Sequence, residues 1–212
     1  MSVESRRQTR EETRDAIIDA AIAVVGRHGY AKASMARIAE EAGIAYGSIY
    51  LHFENQRDLF LHLLPRTSRD LRREIRDRAA GLRDFMAIET AGFDALCELA
   101  VLHPARRRVF VEAPFFVPEA YDEYLERMAG TYLHTMRACK ARGDLPGIEE
   151  PEFEPLAYSL MGAKQFLLYK YLDPQAGQRA MPREVRDSYL RFVARGIGAP
   201  EAAQTAAGSG AA

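Results

Sequence analysis

Residues 45–50 combine small and hydroxyl-bearing side chains that suit the recognition of a polar surface. In order they are Ala, Tyr, Gly, Ser, Ile and Tyr. Ser48 can exchange hydrogen bonds with a base edge or a phosphate, and Gly47 allows a helix backbone to come close to such a partner. The chemistry that these residues support is therefore hydrogen bonding to a polar partner that approaches closely.

Two short helices joined by a glycine-containing turn would hold these side chains in place. The pattern predicts a helix over Met35–Ala42, a turn at Gly43 and a second helix over Ala45–Leu51, with Ile38 and Ile49 as apolar anchors. This is the helix-turn-helix arrangement, in which the N-terminal end of the second helix enters the DNA major groove. The residues predicted to face the bases are Ala45, Tyr46, Gly47 and Ser48.

Two further features of this region indicate contacts with the DNA backbone. Ser34 is a suitable N-cap for the helix that starts at Met35, and the free N–H groups at that helix end suit a phosphate, so Ser34 and Met35 are candidate DNA-binding residues. A basic stretch precedes the first helix and continues into it, with arginines Arg6, Arg7, Arg10 and Arg14. We predict that residues 1–9 form a flexible basic arm; the alternative is a solvated, disordered tail.

The rest of the chain has almost no strand signal, so the predicted fold is all-α. A first helix is predicted over Glu11–Arg27, where apolar residues recur every three or four positions. A long fourth helix is predicted from Gln56, with further helices over 84–103, 105–113, 119–142, 155–172 and 183–196. The predicted domains are a helix-turn-helix domain over 10–55, a helical regulatory and dimerisation domain over 56–198, and a disordered tail over 199–212.

Bulk composition limits the class of protein without identifying a partner. The 212 residues carry 29 Lys and Arg against 30 Asp and Glu, so any basic surface must be local. Cys97 and Cys139 are too few and too far apart for a disulfide framework or a zinc site, and we expect buried free thiols. The polar N-terminus and the lack of a long apolar stretch indicate a cytoplasmic protein. We expect no metal and no cofactor.

An apolar pocket in the helical body is the predicted site for a small molecule. Residues 110–118 are rich in large apolar groups, and helix 119–142 carries an aromatic and methionine stripe. The alternative is plain core, which is the more common role of such stripes. Lys164 is able to pair with a ligand carboxylate, although such a lysine more often keeps its charge in water. The candidate ligand residues are Phe93, Phe110, Phe115, Phe116, Tyr121, Met128, Tyr132 and Lys164.

A second copy of the chain is the predicted partner of the last two helices. Helix 155–172 is apolar nearly all round, so it must be buried on more than one side. A two-fold dimer would place two recognition helices about one DNA turn apart, roughly 34–36 Å, and would select a palindromic operator. The candidate interface residues are Leu160, Gly162, Ala163, Leu167, Tyr189, Phe192 and Val193.

The stretch from Arg10 to Leu64 resembles the TetR family of transcriptional repressors. The resemblance implies about nine helices, of which the first three bind DNA and the last two pair with a second subunit. It also implies a small molecule that binds in the body and weakens DNA binding. The residues that carry it are Gly29-Tyr30, Ser34-Met35, Ile38-Ala39, Ala42-Gly43-Ile44, Gly47-Ser48-Ile49-Tyr50, His52-Phe53 and Leu59-Phe60.

The resemblance also implies roles for individual residues. Tyr50 and His52 match family positions that meet the phosphate backbone, and residues 45–48 match the base-facing end of the recognition helix. Ala45 stands where the family often has serine, which removes one polar contact. Gln56 stands where the family usually has lysine. The neighbouring Arg57 is a candidate substitute for that phosphate contact, although its direction on the helix differs.

Two alternatives compete with this interpretation. One is an enzyme on a helical bundle, but no Glu-x-x-His repeat, glycine-rich phosphate loop or nucleophile elbow is present, so we predict no enzymatic activity. The other is a regulator that responds to a protein partner or acts constitutively. The sequence favours a homodimeric DNA-binding regulator, most simply a repressor that a lipophilic effector releases from its operator.

Overall fold

The computed structural model describes the backbone of residues 3–172 and 177–198, and side chains from Arg7 onward. The predicted all-α fold is confirmed, since all regular structure in these ranges is helical. None of these helices is long and apolar enough to cross a bilayer. The α-helices are α1 (Val3–His28), α2 (Met35–Glu41), α3 (Tyr46–Ile49), α4 (Gln56–Leu61), α5 (Leu63–Arg78), α6 (Phe85–Leu102), α7 (Pro104–Phe116), α8 (Pro118–Ala141), α9 (Phe153–Tyr171) and α10 (Arg183–Gly196), and short 3-10 turns lie at Tyr30–Lys32 and Glu150–Glu152.

Helix α1 begins at Val3, eight residues before the predicted start at Glu11. Residues 3–9, predicted to be a flexible arm, are therefore helical. One cause is local pairing: Arg7 Nε lies 3.3 Å from Glu11 Oε1, one turn along the helix, and such pairs stabilise helices in water. Residues 199–212, which the sequence predicts to be a disordered tail, lie outside the described part of the chain.

The predicted long fourth helix is instead two helices that meet at His62. Pro65, which the predicted helix did not take into account, is the third residue of α5 and so stands in its first turn. A proline has no backbone N–H, so the bond that would join residue 65 to the Leu61 carbonyl cannot form. Helix α4 accordingly ends at Leu61, and α5 starts again at Leu63.

The first of two compact units comprises Met1–Asp70 and His103–Tyr124. It therefore joins α7 to the N-terminal helices and extends past residue 55, where the sequence pattern placed the end of the helix-turn-helix domain. Its core is apolar and drawn from all of these helices, with fully buried side chains that include Ile17, Tyr30, Ile38, Ile49, Phe53, Leu59, Val109 and Val117.

Helix α7 packs closely along α1 inside this unit. A Cβ placed on Gly26 would lie 2.3 Å from Ala105 Cβ, so only glycine allows this approach. One turn further on, Arg108 donates to the Arg27 carbonyl at 3.3 Å and pairs with Glu112 at 2.6 Å. Glu112 also accepts a 2.9 Å bond from the backbone N–H that follows Gly29. The end of α1 is thus held by side chains of α7.

The second unit comprises Leu71–Leu102 and Leu125–Ala212 and has its own apolar core. Helix α6 lies at its centre and packs against both α9 and α10. Arg186 of α10 makes a bidentate pair with Asp94 of α6, at 2.6 and 2.7 Å. The buried apolar side chains include Phe85, Phe93, Met136, Cys139, Leu145, Phe153, Leu160, Leu190 and Val193.

Candidate nucleic-acid interface

Helices α2 and α3 form the predicted helix-turn-helix. Ser34 caps α2, because its Oγ accepts a 3.4 Å bond from the Arg37 N–H. Gly43 adopts φ +68°, a left-handed conformation that suits glycine and redirects the chain between the helices. The Ile44 N–H then closes the turn on the Ala39 carbonyl at 3.0 Å. The turn orients α3 so that one of its sides packs inward and the other faces solvent.

The solvent-facing side of α3 carries the residues predicted to face the bases. Ala45 is the extended N-cap residue, and no atom lies within 4 Å of a Cβ built on Gly47. The Tyr46 residue is 56% exposed, whereas Ser48 is half-buried. The helix is shorter than predicted and ends at Ile49, with Tyr50 as its C-cap. The structure brings this set together on one accessible helix end.

Tyr46 and Tyr50 form a pair on this surface. Their hydroxyl oxygens lie 2.8 Å apart, and their rings pack edge to face with centroids 5.4 Å apart. The hydrogen bond raises the pKa of the Tyr50 hydroxyl. Each hydroxyl is therefore positioned by the other before any partner arrives. Sequence reasoning named both tyrosines but did not predict their pairing.

Arg10 and His52 lie beside the C-terminal end of α3. Arg10 donates a 3.0 Å bond to the Leu51 carbonyl, which leaves the positive charge of its guanidinium without a carboxylate partner in this contact. His52 is half-buried, and its Nδ1 is buried without a hydrogen-bond partner among the described residues. Burial, with Arg10 and Arg14 nearby, lowers the pKa of His52. The imidazole of His52 thus favours its neutral form beside the exposed guanidinium of Arg10.

Arg14, grouped with the basic arm by the sequence, faces the interior of the unit. Its guanidinium lies 4.8 Å from the centre of the Phe53 ring, and its Nη2 is 2.7 Å from Nε2 of His62. Arg37, which the sequence analysis did not single out, is exposed and donates a 2.9 Å bond to the Lys32 carbonyl. Its place in the first turn of α2, beside the Ser34 cap, is the signal that could have found it.

The first turn of α4 contains Gln56, where the sequence departs from the family pattern, and Arg57, the candidate substitute for the phosphate contact. Asn55 caps the helix by accepting a 2.9 Å bond from the Asp58 N–H. The Gln56 amide donates to the Ala33 carbonyl at 3.1 Å. Arg57 pairs with Glu119, the second residue of α8, at 2.5–2.6 Å. Glu119 was not predicted, because nothing in the sequence shows that α8 starts beside α4.

The prediction that the side chain of Met35 contacts DNA is wrong. Its side chain is 6% exposed and belongs to the core of the first unit. The apolar spacing with Ile38 and Ala39 already marked it as inward-facing, and burial is what that spacing indicates. Only the backbone N–H of Met35, at the start of α2, remains available to a partner.

A polar cluster lies among the buried residues of the second unit. Lys164 is 7% exposed and its Nζ lies 2.9 Å from Oε1 of Glu89, which is 3% exposed. Glu89 also accepts bonds from the hydroxyls of Tyr132 at 2.8 Å and Tyr189 at 2.5 Å, while Lys164 contacts the Tyr132 hydroxyl. The expectation that Lys164 keeps its charge in water is wrong, because an internal carboxylate compensates the charge. Glu89 was missed because it stands in an apolar helix.

The predicted ligand residues are divided between the two units. Phe115 is 83% exposed, and Phe116 stacks on Tyr30 with ring centroids 5.3 Å apart. Phe93 is fully buried and packs on Tyr189 at 4.8 Å. A role in ligand binding stays a prediction for each residue. The first unit holds Phe110, Phe115, Phe116 and Tyr121, and the second holds Phe93, Met128, Tyr132 and Lys164.

The predicted dimer residues fall into two groups by burial. Leu160, Tyr189 and Val193 belong to the core of their own unit. The prediction that their side chains contact a second subunit is therefore corrected. They are inward-facing because α9 and α10 both pack on α6. Gly162, Ala163 and Leu167 are half-buried. By contrast, Phe192 on α10 and three aromatic residues on one side of α9 are exposed, namely Tyr158, Phe166 and Tyr169.

Comparison with known proteins finds a family match for a segment of the N-terminal part and similar folds for most of the chain. Residues 17–63 match the family described as "Bacterial regulatory proteins, tetR family". The Fatty acid metabolism regulator protein of Bacillus subtilis (strain 168) is 45% identical over 47 residues, which cover 22% of this chain. The chain spans about a quarter of that relative's length, 24%.

Two solved structures share the fold over most of the chain. A TetR-like transcriptional regulator from Rhodococcus sp. RHA1 superposes with a TM-score of 0.64 at 19% identity, over 89% of this chain and 96% of that one. The transcriptional regulator FadR from Bacillus subtilis, in complex with stearoyl-CoA, gives 0.69 at 17% identity, over 86% and 98%. At these identities the two structures show a common fold.

Proposed function

Because residues 17–63 match the TetR family of bacterial regulatory proteins, we propose that the chain is a DNA-binding transcription regulator of this kind and acts as a homodimeric repressor. The observation that carries the proposal is the exposed end of α3. There Ala45, Gly47 and the Tyr46–Tyr50 pair stand clear of the core on a helix that a glycine turn positions. A helix end of this kind is the part of a helix-turn-helix that enters the major groove.

The charges around α3 support a DNA partner. The whole chain carries a net charge of −1, so long-range attraction to DNA is weak. Arg10 and Arg37 each use a neutral carbonyl as partner in the bonds described above, so those contacts leave their charge available to a phosphate. We propose that Arg10, Tyr50 and His52 contact the backbone while Tyr46 and Ser48 contact base edges.

The exposed aromatic residues of the second unit support the dimer. Phe166 and Phe192 are 75% and 72% exposed, and large aromatic side chains are enriched where proteins meet. We propose that these residues of α9 and α10 pack against the same helices of a second copy. A two-fold dimer selects a palindromic operator, because each half-site meets one recognition helix.

A small molecule that binds in the helical body is the proposed effector. The Glu89–Lys164 pair is internally compensated, so an acidic effector gains no unpaired cation there. The proposal is therefore a lipophilic effector held mainly by apolar contact, which releases the operator by favouring a body shape with a different spacing of the two heads. If no effector changes operator affinity, the protein is instead a constitutive regulator or one that a protein partner controls.

Footprinting of the purified protein on the DNA that flanks its own gene tests the proposal. We expect a protected near-palindrome whose occupancy falls as salt rises, because bound arginines release counterions from phosphate. The variant Tyr46→Ala/Tyr50→Ala should lose protection, whereas Leu102→Ala on α6, a similarly exposed residue, should keep it. The proposal would be overturned if the wild type and Leu102→Ala both failed to protect the flanking DNA and to enrich any duplex from a random-sequence library.

A further inference from the structure

Arg57 is the positively charged residue of α4, the helix that follows the recognition helix α3 in sequence. The first turn of α4 reads Gln56, Arg57, Asp58 and Leu59, so Arg57 is its one positive charge. The Gln56 amide is directed to the Ala33 carbonyl. If DNA binds along α3, which rests on the proposed function, Arg57 is the side chain of this turn that offers a charge to the phosphate.

In the structure that charge is already compensated from within the protein. The guanidinium of Arg57 lies 2.5–2.6 Å from Oε1 of Glu119, and the two side chains are 58% and 47% exposed. A carboxylate and a phosphate make the same charge-assisted bonds with a guanidinium, so they compete for its N–H groups. An exposed pair of this kind is weak, and a phosphate can therefore replace the carboxylate.

Glu119 is held in place by the joint between α7 and α8. Val117, just before α8, is fully buried in the core of the first unit, and Ala120 is buried one residue after Glu119. Glu119 lies in the first turn of α8, where the helix dipole favours a negative charge. The carboxylate is thus presented by a rigid corner rather than by a loop.

We propose that Glu119 is an internal competitor of the operator phosphate for Arg57, and so limits the affinity of the protein for DNA. Glu119 does not contact DNA in this arrangement; it acts through Arg57. A phosphate that binds Arg57 must first break the Arg57–Glu119 pair. Any change that strengthens this pair therefore weakens DNA binding. Removing the Glu119 charge should therefore tighten binding, which is the opposite of what removal of a supporting contact would do.

The experiment measures binding to a duplex that the wild-type protein enriches from a random-sequence library, over a series of salt concentrations. Glu119→Gln should tighten binding by about two- to fivefold per subunit, the range expected for one exposed ion pair. It should also steepen the salt dependence, because one more phosphate is neutralised in each subunit. Asp122→Asn removes an exposed carboxylate from the same helix and is the matched control, for which a much smaller change is expected.

The variant Arg57→Gln completes the test. In that background Glu119→Gln should have no further effect, since the group for which Glu119 competes is gone. Unchanged or weaker binding by Glu119→Gln, equal tightening by Asp122→Asn, or tightening that persists without Arg57 would each overturn the inference. If the wild type enriches no duplex, the proposed function itself fails, which is a different result from enrichment without a Glu119 effect.

Discussion

The hydroxyl groups of Tyr46 and Tyr50 lie 2.8 Å apart on the exposed side of the recognition helix. The first belongs to the residues that would face bases, and the second to a position that would face phosphate. In those roles, the bond between them would couple sequence recognition to backbone contact, since moving one hydroxyl removes the partner of the other. Neither residue is then an independent contact.

A double-mutant cycle on this pair should show coupling. Tyr50→Phe is expected to weaken operator binding by about 1.5–3 kcal/mol, the cost of one hydrogen bond to a charged group. Tyr46→Phe should weaken it too, and the double variant should fall short of the sum by about 0.5–1.5 kcal/mol. Fluorescence anisotropy with a labelled operator measures all four proteins. Strictly additive losses would mean that the two tyrosines act separately.

The close approach of α1 and α7 should make Gly26 intolerant of a side chain. Gly26→Ala places its methyl group 2.3 Å from Ala105 Cβ, so the helices must separate. We expect a loss of unfolding free energy of about 1–3 kcal/mol, as in other overpacked sites. Gly130→Ala in α8 meets no atom within 4 Å and is the control, with a gain of about 0.5–1 kcal/mol expected. Urea denaturation distinguishes the two directions.

The buried pair of Lys164 and Glu89 should respond differently to single and double substitution. Lys164→Met leaves a carboxylate buried without its cation and should cost about 3–5 kcal/mol of unfolding free energy. Adding Glu89→Gln should recover most of this loss, because the amide oxygen can accept from one tyrosine hydroxyl while the amide NH2 donates to the other. Thermal denaturation of the wild type and the two variants provides the measurement. A double variant no more stable than Lys164→Met would show that the charge itself is not the cause.

Acid should destabilise the first unit through His52. Its pKa is lowered in the folded protein by burial and by Arg10 and Arg14, so the unfolded chain binds the proton more readily. The stabilising contribution is complete above the ordinary histidine pKa of about 6.5 and is lost as the pH falls below it. His52→Gln should flatten the dependence of the urea midpoint on pH between about 7.5 and about 5. An unchanged slope would assign the effect to other groups.

Charged substitutions on the exposed aromatic residues should separate the proposed dimer. Phe166→Glu and Phe192→Glu bury a carboxylate in the proposed interface, so the protein should sediment as a monomer at micromolar concentration. Leu102→Glu alters a residue of similar exposure, 66%, on α6 and should leave the dimer intact. Sedimentation velocity is the direct measurement. A dimer that persists in both phenylalanine variants would place the interface elsewhere.

The helix-turn-helix could be predicted from the sequence because its determinants are local. Ser34 and Gly43 act within a few residues of their own position, and Ile38 and Ile49 follow helical spacing. The break between α4 and α5 was also readable, since Pro65 was available in the sequence. Gly26 was a further signal, because a glycine inside a helical pattern often marks a close packing contact.

Contacts across long stretches of sequence could not be predicted in the same way. Glu89 and Lys164 are 75 residues apart, and Arg57 and Glu119 are 62 apart. Each residue alone resembles an ordinary polar position on a helix. Only the packing of α6, α8 and α9 brings the first pair into the core, and only the α7–α8 corner brings Glu119 next to Arg57.

The fit of α7 against α1 limits how this protein could be rebuilt as a chimera. An engineered regulator that exchanges its first 55 residues for those of another protein would keep Ala105, Arg108 and Glu112 but lose the partners that they match. The new α1 would meet a surface shaped for a glycine. A transplantable cassette would need both segments of the compact unit, residues 1–70 and 103–124, even though the sequence separates them.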